Sequence, residues 1–177
     1  RLELSKESHF KLKNHCVKNN IDFLSTAFDL DSLNFLYQML GLRTLKIPSG
    51  EITNAPLILS HAITKCDLIL STGMATIQEI RDALGVIAYG YLNSQSLTQP
   101  SEKLFREAFL SKEGQDLLRE KVTILHCTSE YPAPLSEVNL HAMNSLQNEF
   151  NLRVGYSDHT KGINISIAAA AMGATII

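Results

Sequence analysis

Residues 154–160 read Val-Gly-Tyr-Ser-Asp-His-Thr: a short apolar run stops at Ser157, Asp158 and His159, and Thr160, Lys161 and Gly162 lead into a run of small residues. A hydroxyl, a carboxylate and an imidazole side by side at a strand end can all face one cavity. In parallel α/β proteins ligands collect where strands end and helices begin. Taken alone, the stretch fits an ordinary strand-to-helix loop with a helix cap equally well. The chain repeats the pattern, however. Leu24-Ser25-Thr26 ends one apolar run, Lys46-Ile47-Pro48-Ser49-Gly50-Glu51 a second, Leu70-Ser71-Thr72-Gly73-Met74 a third, and His126-Cys127-Thr128-Ser129-Glu130-Tyr131-Pro132 a fourth. Hydroxyls at five strand ends, with a lysine, carboxylates and a histidine among them, suggest a ring of donors around an anionic ligand.

The elements that position these residues follow from periodicity. Strands are expected at residues 21–27, 44–48, 67–71, 122–127, 153–156 and 174–177. Helices between them are marked by caps and by apolar positions three and four apart. Ser5 caps a first helix, and Asp29 or Asp31 caps a second carrying Leu33, Leu36, Tyr37 and Leu40. Asn54 and Pro56 open a third, and Thr76-Ile77-Gln78-Glu79 is a capping box for a fourth. Two more helices are expected at 136–150 and 163–172. Residues 93–120 break the rhythm, being polar and charged where other connections are short, and read as an outer helical insertion. Strict alternation of strand and helix predicts a parallel sheet with right-handed crossovers. Outside 93–120 the strand starts recur every 20 to 30 residues, which suits a (β/α)8 barrel as well as a doubly wound sheet, and no GxGxxG follows a strand, which counts against a dinucleotide-binding sheet.

Composition bounds the partners. A chain of 177 residues with 45% apolar and 19% charged residues and a formal charge of -2 has no basic surplus for nucleic acid or anionic membrane. Three cysteines, Cys16, Cys66 and Cys127, lack CxxC spacing and read as packed, reduced thiols of a cytoplasmic protein. No signal peptide is expected, and no apolar stretch is long enough to span a bilayer.

The five strand-end stretches quoted above resemble the sialic acid synthase family, which includes N-acetylneuraminate, legionaminate and pseudaminate synthases and related spore-coat polysaccharide enzymes. The resemblance covers most of the chain outside 93–120. It implies a TIM barrel followed by a small antifreeze-like domain, in a domain-swapped homodimer. It also implies condensation of phosphoenolpyruvate with an open-chain N-acetylated hexosamine, such as N-acetylmannosamine or a related 2,4-diacetamido sugar. The products would be a nine-carbon 2-keto acid for surface polysaccharide and phosphate, and a divalent metal is required, Mn2+ first and Mg2+ or Co2+ as alternatives.

Phosphoenolpyruvate carries a phosphate and a carboxylate, so its site needs a cation and several short donors. By resemblance Lys46 supplies the charge, Ser49, Ser71 and Ser157 hold the phosphate, Thr26 lies near the carboxylate, and Tyr131 contacts the sugar. Lys46 also stands out from the residues alone, since a lysine between Leu45 and Ile47 in a strand must reach a partner or solvent. A neutral imidazole at a strand end suits Mn2+, and His159 is the expected ligand, with a second family histidine expected just beyond Ile177. Glu51 is expected to handle a proton or position water, against a plainer role as a helix N-terminal acid near Asn54. Asp158 is expected to orient His159 or nearby backbone, and His126 to be packed in the core.

With six strands, a helical start and an end inside a strand, residues 1–177 are expected to be the middle of a larger barrel. The first two strands, the second metal histidine and the antifreeze-like domain would lie outside it, and the piece alone should be inactive. Two other readings fit the residues: an aldolase with Lys46 as Schiff base, and a non-catalytic barrel module whose strand-end serines are caps.

Overall fold

The apolar runs of the sequence become four short strands, β1 (Thr44–Ile47), β2 (Asp67–Ser71), β3 (Val122–Cys127) and β4 (Arg153–Ser157), paired in parallel in the order β1-β2-β3-β4. The computed structural model describes residues 4–94 and 99–177. Each strand is laid beside its predecessor with no reversal of order, so these strands contain no topological switch point of the doubly wound kind.

The expectation of six strands is corrected to four among the described residues. Residues 21–27 touch the sheet through a single parallel bridge, Thr26 to Lys46. Residues 174–177 meet β4 through two backbone bonds, Thr175 N–H to the Val154 carbonyl and Tyr156 N–H to the Ile176 carbonyl. Both segments lie on the outer edges of β1 and β4, where one neighbour is present instead of two and a full ladder does not form. Gly155 permits the second approach: a Cβ there would stand 2.4 Å from the Ile176 carbonyl oxygen.

Local sequence sets the helices. Ser5 caps α1 (Lys6–Lys18), accepting from the Ser8 N–H, and Asp29 caps α2 (Leu30–Asn34) through the Ser32 N–H. α2 runs on into a π-helical turn, Phe35–Met39. α3 (Ala55–Ile63) starts at Asn54 with Pro56 in its first turn, where a missing N–H costs nothing. α4 (Ile77–Leu92) opens with the full capping box between Thr76 and Glu79. The connection from α4 to β3 carries α5 (Glu102–Leu110) and α6 (Lys112–Lys121), both packed on α4, with Phe105 edge-on to Tyr89 at 5.2 Å. Residues 95–98 of the expected insertion lie outside the described residues. α7 (His141–Phe150) begins five residues later than the periodicity suggests: residues Leu135–Glu137 form a 3-10 turn, and Asn139, with φ of 41°, breaks the helix path. α8 (Asn164–Ala171) follows β4.

Strand register divides the sheet into two faces. In-register partners on parallel strands share a face, and alternate residues point to opposite ones. Leu45, Ile47, Leu68, Leu70, Val122, Ile124, Val154 and Tyr156 form one face and pack with Ile58, Ile80, Leu84 and Ile87 of α3 and α4 in the main core. Each such aliphatic side chain, 5% exposed or less, stabilises the fold by about 1.5–3 kcal/mol. Thr26, Lys46, Ile69, Ser71, Thr123, Leu125, Cys127, Gly155 and Ser157 fall on the opposite, inner face.

Candidate active site

The inner face presents polar groups at the C-terminal edge of the sheet. Lys46 is half-buried in β1, aligned with Thr26 on one side and Ile69 on the other, and among the described residues it has no carboxylate partner. A lysine in that position is satisfied by solvent or by a group not present in the chain. Ser71, the last residue of β2, is 3% exposed and its Oγ has no hydrogen-bond partner. An unpaired buried hydroxyl costs about 1–3 kcal/mol, which a ligand oxygen would relieve.

The turn after β2 is built around Gly73. A Cβ at this position would stand 2.4 Å from Ser129 Oγ, 2.6 Å from Cys127 Sγ and 3.3 Å from Ser49 Oγ. The glycine therefore lets the loops after β1, β2 and β3 converge on one spot. Thr72 fixes the turn to β3, its N–H and hydroxyl both donating to the Leu125 carbonyl at 3.0 Å. Burial pushes the Cys127 thiol above its usual range, against the Gly73 N–H, the Ser49 hydroxyl and the Lys46 charge, which stabilise the thiolate. Cys127 and Lys46 are thus within electrostatic reach of each other. Gly73, Cys127 and Ser129 are members of this cluster that sequence reasoning left out or assigned to packing. A glycine directly after a strand-end Ser-Thr pair was the available signal.

The loop after β4 holds His159 in a defined state. Its Nδ1 lies 2.6 Å from the Thr128 carbonyl, which can only accept, so Nδ1 carries the proton in the neutral ring. The Nε2 lone pair then faces the Ser157 hydroxyl at 3.2 Å and the Tyr131 hydroxyl at 3.1 Å. The Tyr131 and His159 rings stack with centroids 4.1 Å apart. Asp158 turns away from this cluster: Oδ1 accepts from the Thr160 N–H and hydroxyl, and Oδ2 from the Ser166 hydroxyl, tying the loop to α8. Those bonds hold the Asp158 carboxyl below its usual range against the opposing effect of burial.

Glu51 closes the short 3-10 turn Ser49–Glu51 and accepts from Asn54 Nδ2 at 2.8 Å. Its carboxylate thus already has the plainer partner expected for a helix N-terminal acid. His126 projects to the helix-packed face, where Nε2 meets the Val138 carbonyl at 2.8 Å and the ring lies 5.6 Å from that of Tyr156.

A neutral imidazole protonated at Nδ1 can ligate a divalent metal through Nε2, but here Nε2 is already met by the Ser157 and Tyr131 hydroxyls. Among the described residues no group of three His, Cys, Asp or Glu gathers there, so His159 offers one protein donor. A cavity of about 810 Å³ lies on the outside between α3, α4 and α5 and contains none of the strand-end residues. A smaller one of about 310 Å³ backs onto the strand ends through Thr72, His126 and Cys127. Among the described residues no helix is long and apolar enough to cross a membrane.

Relatives share this chain throughout. It is 48% identical over 177 residues to an N,N'-diacetyllegionaminic acid synthase of Campylobacter jejuni, covering 100% of this chain and 45% of the relative. It is 43% identical to the protein of the same name in Legionella pneumophila, over 99% of this chain and 43% of that one. Among solved structures, the N-acetylneuraminic acid synthetase of Leptospira borgpetersenii, determined with citrate, superimposes with a TM-score of 0.78 at 32% identity, covering 99% of this chain and 51% of that one. The chain thus spans about half the length of these relatives or less. The NeuB family matches across residues 1–177, and the chain belongs to the NeuB family.

Proposed function

We propose that these residues form the phosphoenolpyruvate end of a synthase that joins phosphoenolpyruvate to an open-chain N-acetylated hexosamine, releasing phosphate and a nine-carbon 2-keto sugar acid for surface polysaccharide. The observation that carries the reading is the pairing of an uncompensated Lys46 with the orphaned Ser71 hydroxyl on the inner face of the sheet. A cation and an unsatisfied buried donor on one face describe a site for a phosphorylated acid. The sequential strand order supports placing the four strands in an eight-stranded barrel. The activity belongs to a polypeptide of the relatives' length, acting as a homodimer in the cytoplasm, and residues 1–177 alone are inactive.

In this reading Lys46 and the hydroxyls of Ser49, Ser71 and Ser157 bind the phosphate, and Thr26 lies by the carboxylate. Tyr131 meets the sugar. A divalent metal, Mn2+ before Mg2+ or Co2+, held in part by His159 Nε2, supplies Lewis acidity at the sugar aldehyde. The C3 carbon of phosphoenolpyruvate forms the new bond to the aldehyde carbon, water adds at C2, and the C2–O bond to phosphate breaks. Glu51 orients that water or takes its proton, exchanging its bond to Asn54 for the reacting water. The names of the two relatives favour a diacetamido hexose over N-acetylmannosamine as the sugar.

The test is phosphate release by the full-length enzyme with phosphoenolpyruvate, Mn2+ and a panel of mono- and diacetamido hexoses. Sugar-dependent release, lost in Glu51→Gln, is expected. Release that no sugar stimulates would refute the reading.

A further inference from the structure

Cys127 ends β3 on the inner face, in register with Ser157 of β4, and is 6% exposed. Its sulfur sits where the loops after β1 and β2 meet: a Cβ built on Gly73 would lie 2.6 Å from Sγ and 3.3 Å from Ser49 Oγ. The groups around the sulfur are donors. The Gly73 N–H, the Ser49 hydroxyl and the Lys46 charge all favour negative charge there, yet burial keeps the thiol neutral. A neutral thiol is a weak acceptor, so donors gathered on it are left short of a partner. The Ser71 hydroxyl, on the same face and with no partner at all, is left short in the same way. Two hydroxyls, a backbone N–H and a lysine thus gather around a side chain that fully satisfies none of them.

We propose that Cys127 is a positioning residue for the anion site: its sulfur fills the space between the converging loops, while its weakness as an acceptor keeps the Ser49 hydroxyl and the Gly73 N–H available to a ligand oxygen. Both properties belong to sulfur. A serine hydroxyl here would be smaller and would accept at about 2.8 Å with full strength. It would draw the Ser49 hydroxyl to itself and satisfy within the chain what the ligand otherwise satisfies. Alanine would leave the donors free and open a void beside Gly73. The thiol makes and breaks no bond in the reaction. This inference deepens the reading of the inner face as the phosphoenolpyruvate site and rests on it.

The experiment is equilibrium binding of phosphoenolpyruvate to the full-length enzyme, for wild type, Cys127→Ser, Cys127→Ala, Ser49→Ala and the double variant Ser49→Ala with Cys127→Ser. Cys127→Ser should weaken binding roughly two- to tenfold, the worth of one neutral hydrogen bond that the ligand must displace. Cys127→Ala, which offers no acceptor, should weaken it less. A purely structural role gives the reverse order, because alanine leaves the larger void. The Cys127→Ser penalty should shrink in the Ser49→Ala background, where the captured donor is gone. A second measurement needs no variant: in wild type, saturating phosphoenolpyruvate should slow alkylation of Cys127 by iodoacetamide, read by peptide mass spectrometry. Cys127→Ser binding as tightly as wild type, Cys127→Ala binding more weakly than Cys127→Ser, or alkylation of Cys127 indifferent to phosphoenolpyruvate overturns the positioning role, and wild-type binding then leaves the site reading standing. A wild type without affinity for phosphoenolpyruvate overturns the site reading, and the role of Cys127 with it.

Discussion

Replacing Ser71 by alanine separates the stability of the sheet from its ligand chemistry. Ser71 is 3% exposed, ends β2 between Leu70 and Thr72, and its Oγ has no partner. In the ligand-free protein the hydroxyl contributes an unmet desolvation cost of about 1–3 kcal/mol, offset by contacts that one oxygen atom makes with its neighbours. Ser71→Ala should therefore leave ligand-free stability unchanged or raise it by about 1 kcal/mol, a rise of about 2–4 °C in Tm for a chain of this size. In the proposed complex the same oxygen would donate to a charged phosphate, a bond worth about 1.5–3 kcal/mol. The variant should bind phosphoenolpyruvate roughly ten- to a hundredfold more weakly. Melting curves of wild type and variant, each with and without phosphoenolpyruvate, read both quantities from one series. The reasoning is refuted if Ser71→Ala is destabilised and still gains the wild-type increment of Tm from the ligand, since the hydroxyl would then serve the fold.

Gly73→Ala would force a Cβ to 2.4 Å from Ser129 Oγ and 2.6 Å from Cys127 Sγ. It should cost about 1–3 kcal/mol and weaken phosphoenolpyruvate binding, whereas wild-type values in melting and binding assays would show that the loops separate freely. His61 is fully buried, its Nδ1 lies 2.9 Å from the Leu57 carbonyl, its Nε2 has no partner, and burial depresses its pKa below 6.5. The unfolded chain therefore takes up a proton that the folded one refuses: stability is full above about pH 6.5 and falls as pH drops below it, by at most about 1.4 kcal/mol per pH unit from this group. Urea melts of His61→Leu against wild type between pH 5 and pH 8 should show the acid loss reduced in the variant, and parallel profiles would rule His61 out as its source. Thr76→Ala removes the hydroxyl that accepts the Glu79 N–H at 3.2 Å and should cost about 1 kcal/mol in the same melts without changing phosphoenolpyruvate affinity.

The parts of the fold legible in the sequence are those set by local chemistry. Thr76-Ile77-Gln78-Glu79 and Asn54-Ala55-Pro56 start helices because the groups that satisfy the first free N–H are a few residues away. Short apolar runs such as residues 67–71 became strands, but such a run does not record how many neighbours it will have. Residues 21–27 and 174–177 carry the pattern and form only a bridge and two backbone bonds. The late start of α7 depends on Asn139 taking a left-handed conformation, and the π turn at Phe35–Met39 has no sequence signature comparable to a cap. Within the candidate site, hydroxyls at strand ends were visible as a repeated ending, and parity along the strands places Lys46, Ser71 and Ser157 on one face. The convergence of Ser49, Cys127 and Ser129 on Gly73 joins three loops far apart in the chain, and only packing reveals it.

The account stands on the claim that the inner face, and not the helix-packed face, binds the phosphorylated acid. Equilibrium binding of phosphoenolpyruvate to the full-length protein tests it, comparing wild type with Lys46→Ala on the inner face and His126→Gln on the helix-packed face. Loss of the half-buried cation should weaken binding by roughly a hundredfold or more, since about 3 kcal/mol follows from leaving the anion unpaired, while His126→Gln should bind as wild type does. Equal affinity in wild type and Lys46→Ala would contradict the claim.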